Sequence, residues 1–371
     1  MTILHLILQN LFSFIFIISL IVFIHEFGHF FVARLCGVKV DEFAIGFGRE
    51  LFGFCDKKGT RWKFCLLPLG GYVKMFGDKN GASMPDLEQI KNMSLEEIKK
   101  SFIGKNVWQR MAIVVAGPVF NFLLAILIFT FLFKINGLSQ VLPIIDEVLP
   151  QSAAFESGLK KGDQILAIDD REIKDFEEVR SFIIAAGEQE LIFKIKRNEK
   201  IITAKITPKI QVRKDFFGEE IKAATLGISA SAIVHQNLNL GQSFVAANKE
   251  TYQISVAVFK AVGELVTGKR SVKELGGPIK IAKYSGKTVE MGIVAVLWFM
   301  AMISINLGVM NLLPVPVLDG GHLFFYIFEA IFKKPLSPQI QKIGFQIGLS
   351  LVLTLMIFTT INDIRQLIFG S

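Results

Sequence analysis

His25 and His29 stand four residues apart, with Glu26 beside the first, in the order His-Glu-Phe-Gly-His. On a helix, residues i and i+4 share one face, so two imidazoles at this spacing can hold a single metal ion. Glu26 projects about 100° around the helix from His25, near enough to take a proton from a water on that metal. The surroundings are apolar. Residues 11–24 read LFSFIFIISLIVFI without a charge, and Phe30, Phe31 and Val32 continue the run. Ionisable groups in such a segment are costly unless they are partnered, and they mark function. One satisfied core histidine would be ordinary; two histidines and a glutamate are not. The spacing and the setting together predict zinc-dependent peptide hydrolysis at membrane depth.

Two histidines leave a catalytic zinc one protein ligand short. A carboxylate at similar depth on another apolar segment would complete it. Residues 311–322 offer one: the chain reads Asn311-Leu-Leu-Pro314-Val-Pro316-Val-Leu-Asp319-Gly320-Gly321-His322. Pro314 and Pro316 break a helix there, and Gly320-Gly321 lets the backbone turn after Asp319. Asn311, a membrane-depth amide, either bonds a neighbouring helix or donates to the oxyanion of a scissile carbonyl. His322 could support a ligand from behind or sit at the membrane interface, and the interfacial reading is favoured; His5 and His235 lie away from the motif.

These residues need apolar elements to carry them. The 371 residues are 51% apolar and include 35 Phe, too hydrophobic for an ordinary soluble chain. A bilayer crossing needs about 20 apolar residues, and four segments qualify: 8–32, 111–134, 292–317 and 344–360. The first has no basic residues before it and no A-x-A site after it, so it is expected to stay as an anchor. Residues 1–10 carry no Lys or Arg, whereas Lys57, Lys58, Arg61, Lys63, Lys99 and Lys100 follow the first segment. The positive-inside rule then predicts a cytoplasmic loop at 35–109, both termini outside and an exported stretch between the second and third spans. Lys333, Lys334 and Lys342 fit an inner final loop, with Arg365 the one basic residue of the outer tail. His25, His29 and Asp319 all fall near cytoplasmic ends and can meet. Cys36, Cys55 and Cys65 lie in the first loop and are expected to be reduced and unpaired. The net charge of +8 is spread over loops at a lipid surface and argues against nucleic acid as a partner.

The paired motifs, H-E-x-x-H in the first span and N-x-x-P-V-P-x-L-D-G in the third, resemble the site-2 protease family of intramembrane zinc metalloproteases, and within it the bacterial RseP-type group. Gly46-Phe47-Gly48, Gly70-Gly71-Tyr72, Val107-Trp108-Gln109-Arg110 and Gly117-Pro118-x-x-Asn121 extend the likeness over nearly the whole chain. The resemblance implies one Zn2+ held by His25, His29 and Asp319, Glu26 as general base, and Asn311 on the oxyanion. It also implies substrate-positioning roles for Gly70, Gly71, Tyr72, Asn121 and Pro314. The expected substrates are single-span membrane proteins in a bacterial inner membrane, such as anti-sigma factors or remnant signal peptides.

The resulting fold class is a polytopic α-helical membrane protein with four spans, a re-entrant β-hairpin and one exported PDZ-like α+β domain. Its expected parts are the first span (1–34), a cytoplasmic loop with a hairpin (35–109), the second span (110–134), a PDZ-like domain (135–208), a post-PDZ region (209–290), the third span (291–320), and a loop with the fourth span (321–371). The runs at 61–66 and 72–76 read as two strands with Gly70-Gly71 as the turn between them. By resemblance this hairpin lies beside the zinc; by itself it could be an ordinary cytoplasmic hairpin. Residues 78–106 read as a polar connector. The stretch from Ser152 to Ile168 is similar to a PDZ signature, where family members often carry two such domains in tandem. It would bind an extended peptide or C-terminus, or serve as a steric filter. Residues 240–267 place Val245, Tyr252, Val256, Phe259 and Val266 on one helical stripe, either at the outer leaflet or packed under the exported domain. A metal transporter and an inactive scaffold are the rival classes; the chain shows no internal repeat, and a scaffold leaves the ionisable groups unused.

Overall fold

The computed structural model describes residues 3–78, 89, 92–214, 220–268 and 276–369. The expected connector at 78–106 lies partly outside these residues. The chain forms two compact units, Met1–Phe131 with Ser243–Ser371, and Leu132–Gln242.

In the first unit, α1 (Ile3–Leu35) is one uninterrupted apolar helix. A long antiparallel hairpin follows, β1 (Val40–Cys55) and β2 (Arg61–Met75). Its turn is at residues 56–60, not at Gly70-Gly71, which lie inside β2. Asp56 builds that turn, accepting from the backbone N–H of Lys58 and Thr60 through Oδ1. Its Oδ2 receives Trp62 Nε1–H and the guanidinium of Arg34 at the end of α1. Burial alone would raise the Asp56 carboxyl, but these donors hold it at about 2. The ionised form is favoured in the fold, so its contribution is complete above the ordinary carboxylate value near 4 and is lost as pH falls through about 2. Trp62 fluorescence in acid titrations should show this step, and Asp56→Asn should remove it. A wild-type step that survives in the variant would assign it elsewhere. Beyond the hairpin come a short capped helix, α2 (Leu95–Lys100), and α3 (Val107–Asn136), an apolar helix with Pro118 inside it.

The second unit holds β3 (Leu138–Val141), β4 (Glu147–Val148), α4 (Ala153–Glu156), β5 (Gln164–Ile168), β6 (Arg171–Glu172), α5 (Phe176–Ala186), β7 (Leu191–Arg197), β8 (Lys200–Ile206), β9 (Lys209–Lys214), β10 (Glu220–Thr225), β11 (Ile228–Ser229) and β12 (Ile233–Gln236). A four-stranded antiparallel sheet in the order β6-β5-β7-β8 covers a core that includes Ile165, Ile168, Val179, Phe193, Ile195 and Ile206. Asp163, wholly buried, accepts both Nε–H and Nη2–H of Arg197 at 2.7 Å. The unit runs past the expected boundary at 208 because β11 and β12 return to pair with β4 and β3.

The chain continues through α6 (Leu240–Val266), α7 (Pro278–Glu290), α8 (Ile293–Asn311), α9 (Asp319–Phe332) and α10 (Pro338–Phe369). In α6, Ser243, Ala247 and Thr251 are buried, whereas the stripe of Val245, Tyr252, Val256, Phe259 and Val266 is exposed. Within the first unit α7 packs on α1, with Gly286 lying against Asn10. Asp363 of α10 caps α7, accepting from Gly277 N–H and Lys280 N–H at 2.9 Å each. Among the described residues, four helices are long and apolar enough to cross a membrane: Leu8–Leu35, Val107–Asn136, Ile293–Asn311 and Gln339–Gln366. The third stops at Asn311, short of the expected 317–320; Asp319 opens a new helix instead of closing the span.

Candidate metal centre

The apolar run around the H-E-x-x-H motif stays helical through Leu35, so His25 and His29 lie one turn apart on α1. Both are buried, at 7% and 8% exposure. The third group comes from the other end of the sequence. After α8 the chain turns through Pro314 and Pro316, and Leu318 stands extended at the start of α9, which sets Asp319 in its first turn. His25 Nε2 and Asp319 Oδ2 are 3.2 Å apart, His29 Nε2 and Asp319 Oδ2 3.4 Å, and the two Nε2 atoms 3.3 Å. Three acceptor atoms thus face one another across a small triangle.

This triangle fits a zinc ion. Tetrahedral bonds of about 2.0–2.1 Å set neighbouring ligand atoms about 3.3 Å apart, the separation found here. Asp319 Oδ2 is buried without a hydrogen-bond partner, and a buried carboxylate oxygen facing two imidazole lone pairs is costly unless a cation joins them. His29 Nδ1–H donates to the Ile113 carbonyl of α3 at 2.9 Å, which leaves its Nε2 free to ligate.

The triangle borders a cavity of about 880 Å³. Glu26, Gly70, Gly71, Tyr72, Asn311 and Asp319 line it with the two histidines, so the expected base, the expected oxyanion donor and three of the five expected substrate-positioning residues come together. Asn311 Nδ2 lies 3.3 Å from His25 Nε2. Tyr72 O–H donates to Glu42 Oε2 at 2.9 Å. Two expected residues sit elsewhere. Pro314 is exposed in the turn between α8 and α9, and Asn121 stands behind His25, its amide 3.1 Å from Nδ1. Neither lines the cavity. His322, read from the sequence as interfacial, lines the cavity one turn after Asp319 on α9, and Glu42 and Lys74 on the hairpin are charged lining residues that sequence reasoning passed over. The i+3 spacing of Asp319 and His322 was the available signal; for the hairpin charges there was none without its register.

The imidazoles fit under α3 only because Gly117 has no side chain. A Cβ there would strike His29 Nε2 and Cε1 and His25 Cε1. Gly117→Ala is therefore expected to push the ligands off their positions and weaken zinc binding by at least about tenfold. Metal content after dialysis against a graded chelator would measure it, and a variant retaining wild-type zinc would refute the close fit.

The profile of Peptidase family M50 matches residues 13–355. A protein of Agrobacterium fabrum named as a zinc metalloprotease is 41% identical over 359 residues, covering 96% of this chain and 95% of its own. Metalloprotease MmpA of Caulobacter vibrioides is 34% identical over 377 residues and is covered to 95%, as is this chain. Among solved structures, the PDZ domain of an SdrC-like protein from Listeria monocytogenes is 22% identical, with a TM-score of 0.20, over 24% of this chain and 84% of its own.

Proposed function

Because this chain belongs to Peptidase family M50 and is a zinc metalloendopeptidase, we propose that it cuts single-span membrane proteins within their transmembrane segments, using His25, His29 and Asp319 to hold the zinc. The observation that carries this reading is the convergence of three ligand atoms within 3.2–3.4 Å, with Glu26 on the same cavity, in a bundle of membrane-length helices.

A bound zinc ion supplies Lewis acidity, polarising the scissile carbonyl and lowering the pKa of water toward about 7. The remaining steps belong to the protein. The Glu26 carboxylate accepts a proton from the attacking water, the new C–O bond forms, and the C–N bond breaks as Glu26 passes that proton to the leaving amine. Asn311 Nδ2–H donates to the carbonyl oxygen as it gains charge. A peptide bond in a helix is shielded by its own hydrogen bonds, so the substrate must first unwind. β2 runs along the cavity from Gly70 to Met75, and a two-stranded sheet has free edges to which an extended segment can add. Val22, Phe47, Leu307, Val317 and Val352 give the same cavity apolar walls for the flanking side chains.

We further propose an inner-membrane location with the metal centre toward the cytoplasm and the 132–242 unit exported, where a PDZ-like fold binds peptide or excludes bulky substrates. Anti-sigma factors and remnant signal peptides are the candidate substrate classes. The exposed stripe of α6 supports a position at the lipid surface.

The test is cleavage of a doubly tagged single-span protein by the full chain in proteoliposomes, with products mapped by mass spectrometry. A cut inside the span, abolished by chelation and restored by zinc, is expected. A cut confined to the extramembrane region, or one indifferent to chelator, would overturn the proposal.

A further inference from the structure

We infer that Asn121 is a positioning residue that fixes the tautomer of His25, accepting its Nδ1 proton through Oδ1 so that Nε2 is free to bind metal. The inference rests on the zinc reading above. Asn121 is on α3, one turn after Gly117, and is wholly buried. Its amide lies 3.1 Å from His25 Nδ1, on the side of the ring opposite the ligand triangle.

The chemistry of imidazole narrows what this contact can be. A neutral histidine that ligates through Nε2 carries its proton on Nδ1, and that proton needs an acceptor. For His29 the acceptor is the Ile113 carbonyl. At His25 the group in the equivalent place is the Asn121 amide. With its NH2 toward Nδ1, two donors would meet head to head, and the amide oxygen would be left buried with no partner. An amide turns about its last bond without changing shape. Turned, it brings the orphaned Oδ1 onto the Nδ1 proton and removes the donor clash.

The main chain at Asn121, and not its side-chain amide, is also tied to α8. Ser304 Oγ–H of α8 donates to the backbone carbonyl of Asn121 at 2.9 Å. Asn311, at the end of the same helix α8, reaches the Nε2 face of the same imidazole. Asn121 thus meets the ring nitrogen turned away from the ligand triangle and does not line the cavity, which assigns it to the metal and not to the substrate.

The test measures zinc affinity of the full-length, detergent-solubilised, metal-free protein by competition with a chromophoric chelator. Asn121→Leu, similar in size and without an acceptor, should weaken zinc by about 10–100-fold. Asn121→Asp keeps an acceptor and loses the donor, so it should bind within about threefold of wild type or tighter. Ser304→Ala should bind like wild type. Unchanged affinity in Asn121→Leu, or Asn121→Asp falling as far as Asn121→Leu, would overturn the inference. Should Asn121→Leu fail to fold, nitrogen NMR of histidine-labelled wild type reads the tautomer directly: His25 protonated on Nδ1 supports the inference, and protonation on Nε2 overturns it. His25→Ala separates the two readings. If it binds zinc normally the metal centre itself is wrong; if it loses zinc while Asn121→Leu does not, only the role of Asn121 falls.

Discussion

Glu26→Gln is expected to lower cleavage by about 10²–10⁴-fold, the range that a positioned general base contributes, while zinc stays bound. The structure separates the two properties. Glu26 neighbours His25 in sequence but lies outside the ligand triangle, facing the cavity and the backbone of Gly71. Glutamine matches the carboxylate in size, so that packing survives; what disappears is a group able to take a proton from water and return it to the amine. Rates on the single-span substrate and zinc content should be read on the same preparation. Wild-type turnover in Glu26→Gln would sink the general-base role. Loss of zinc together with activity would instead make Glu26 a ligand, which the triangle of His25, His29 and Asp319 argues against. Glu26→Asp retains the base one methylene short and should fall between the two.

The grouping of His25, His29 and Asp319 was legible because it depends on residue types at fixed spacings. The i, i+4 histidines need only a helix, and a 14-residue uncharged run guarantees one. Asp319 was legible as the missing carboxylate because a two-histidine zinc is incomplete. Its local structure was not. Gly320-Gly321 and Gly70-Gly71 both read as turn signals, and both lie within regular elements. Gly320 and Gly321 sit in α9, where Cβ atoms would strike the backbone of residues 312–316. Gly71 sits in β2, where a Cβ would meet the Ala44 carbonyl and Glu26. At Gly71, Gly320 and Gly321 glycine serves close approach to the surrounding backbone, whereas Gly70, at φ +130°, is needed for its backbone conformation, and a sequence does not distinguish these uses from a turn. The true hairpin turn, around Asp56 and Gly59, carried the ordinary signals of an Asx residue and a glycine with positive φ. The boundary of the 132–242 unit was hidden for another reason: β11 and β12 pair with strands about 80–100 residues earlier, and such pairing leaves no local mark.

Asp319→Ala carries the second large effect, and its signature lies in stability as well as activity. With one of three ligands gone, zinc affinity should fall by more than the 10–100-fold that an outer partner costs, and cleavage should fall with it. The metal-free protein should respond in the opposite direction. Asp319 Oδ2 is buried without a hydrogen-bond partner and faces two imidazole nitrogens that are acceptors in the ligating tautomer. Removing such a group relieves a desolvation cost, so metal-free Asp319→Ala should melt at the same temperature as the metal-free wild type or higher. Zinc then separates the two proteins. A ligand at one hundred times its Kd adds about 2.7 kcal/mol to the state that binds it, so the wild type should gain thermal stability as zinc is added while the variant stays flat. Melting curves across a zinc series, in one detergent and at one pH, make the comparison. A variant that loses stability without metal would mean that Asp319 holds the fold by its own contacts. A zinc-dependent rise equal to that of the wild type would remove it from the metal centre. The expected pattern, a stable apo-protein deaf to zinc, is specific to a carboxylate whose partner is the ion.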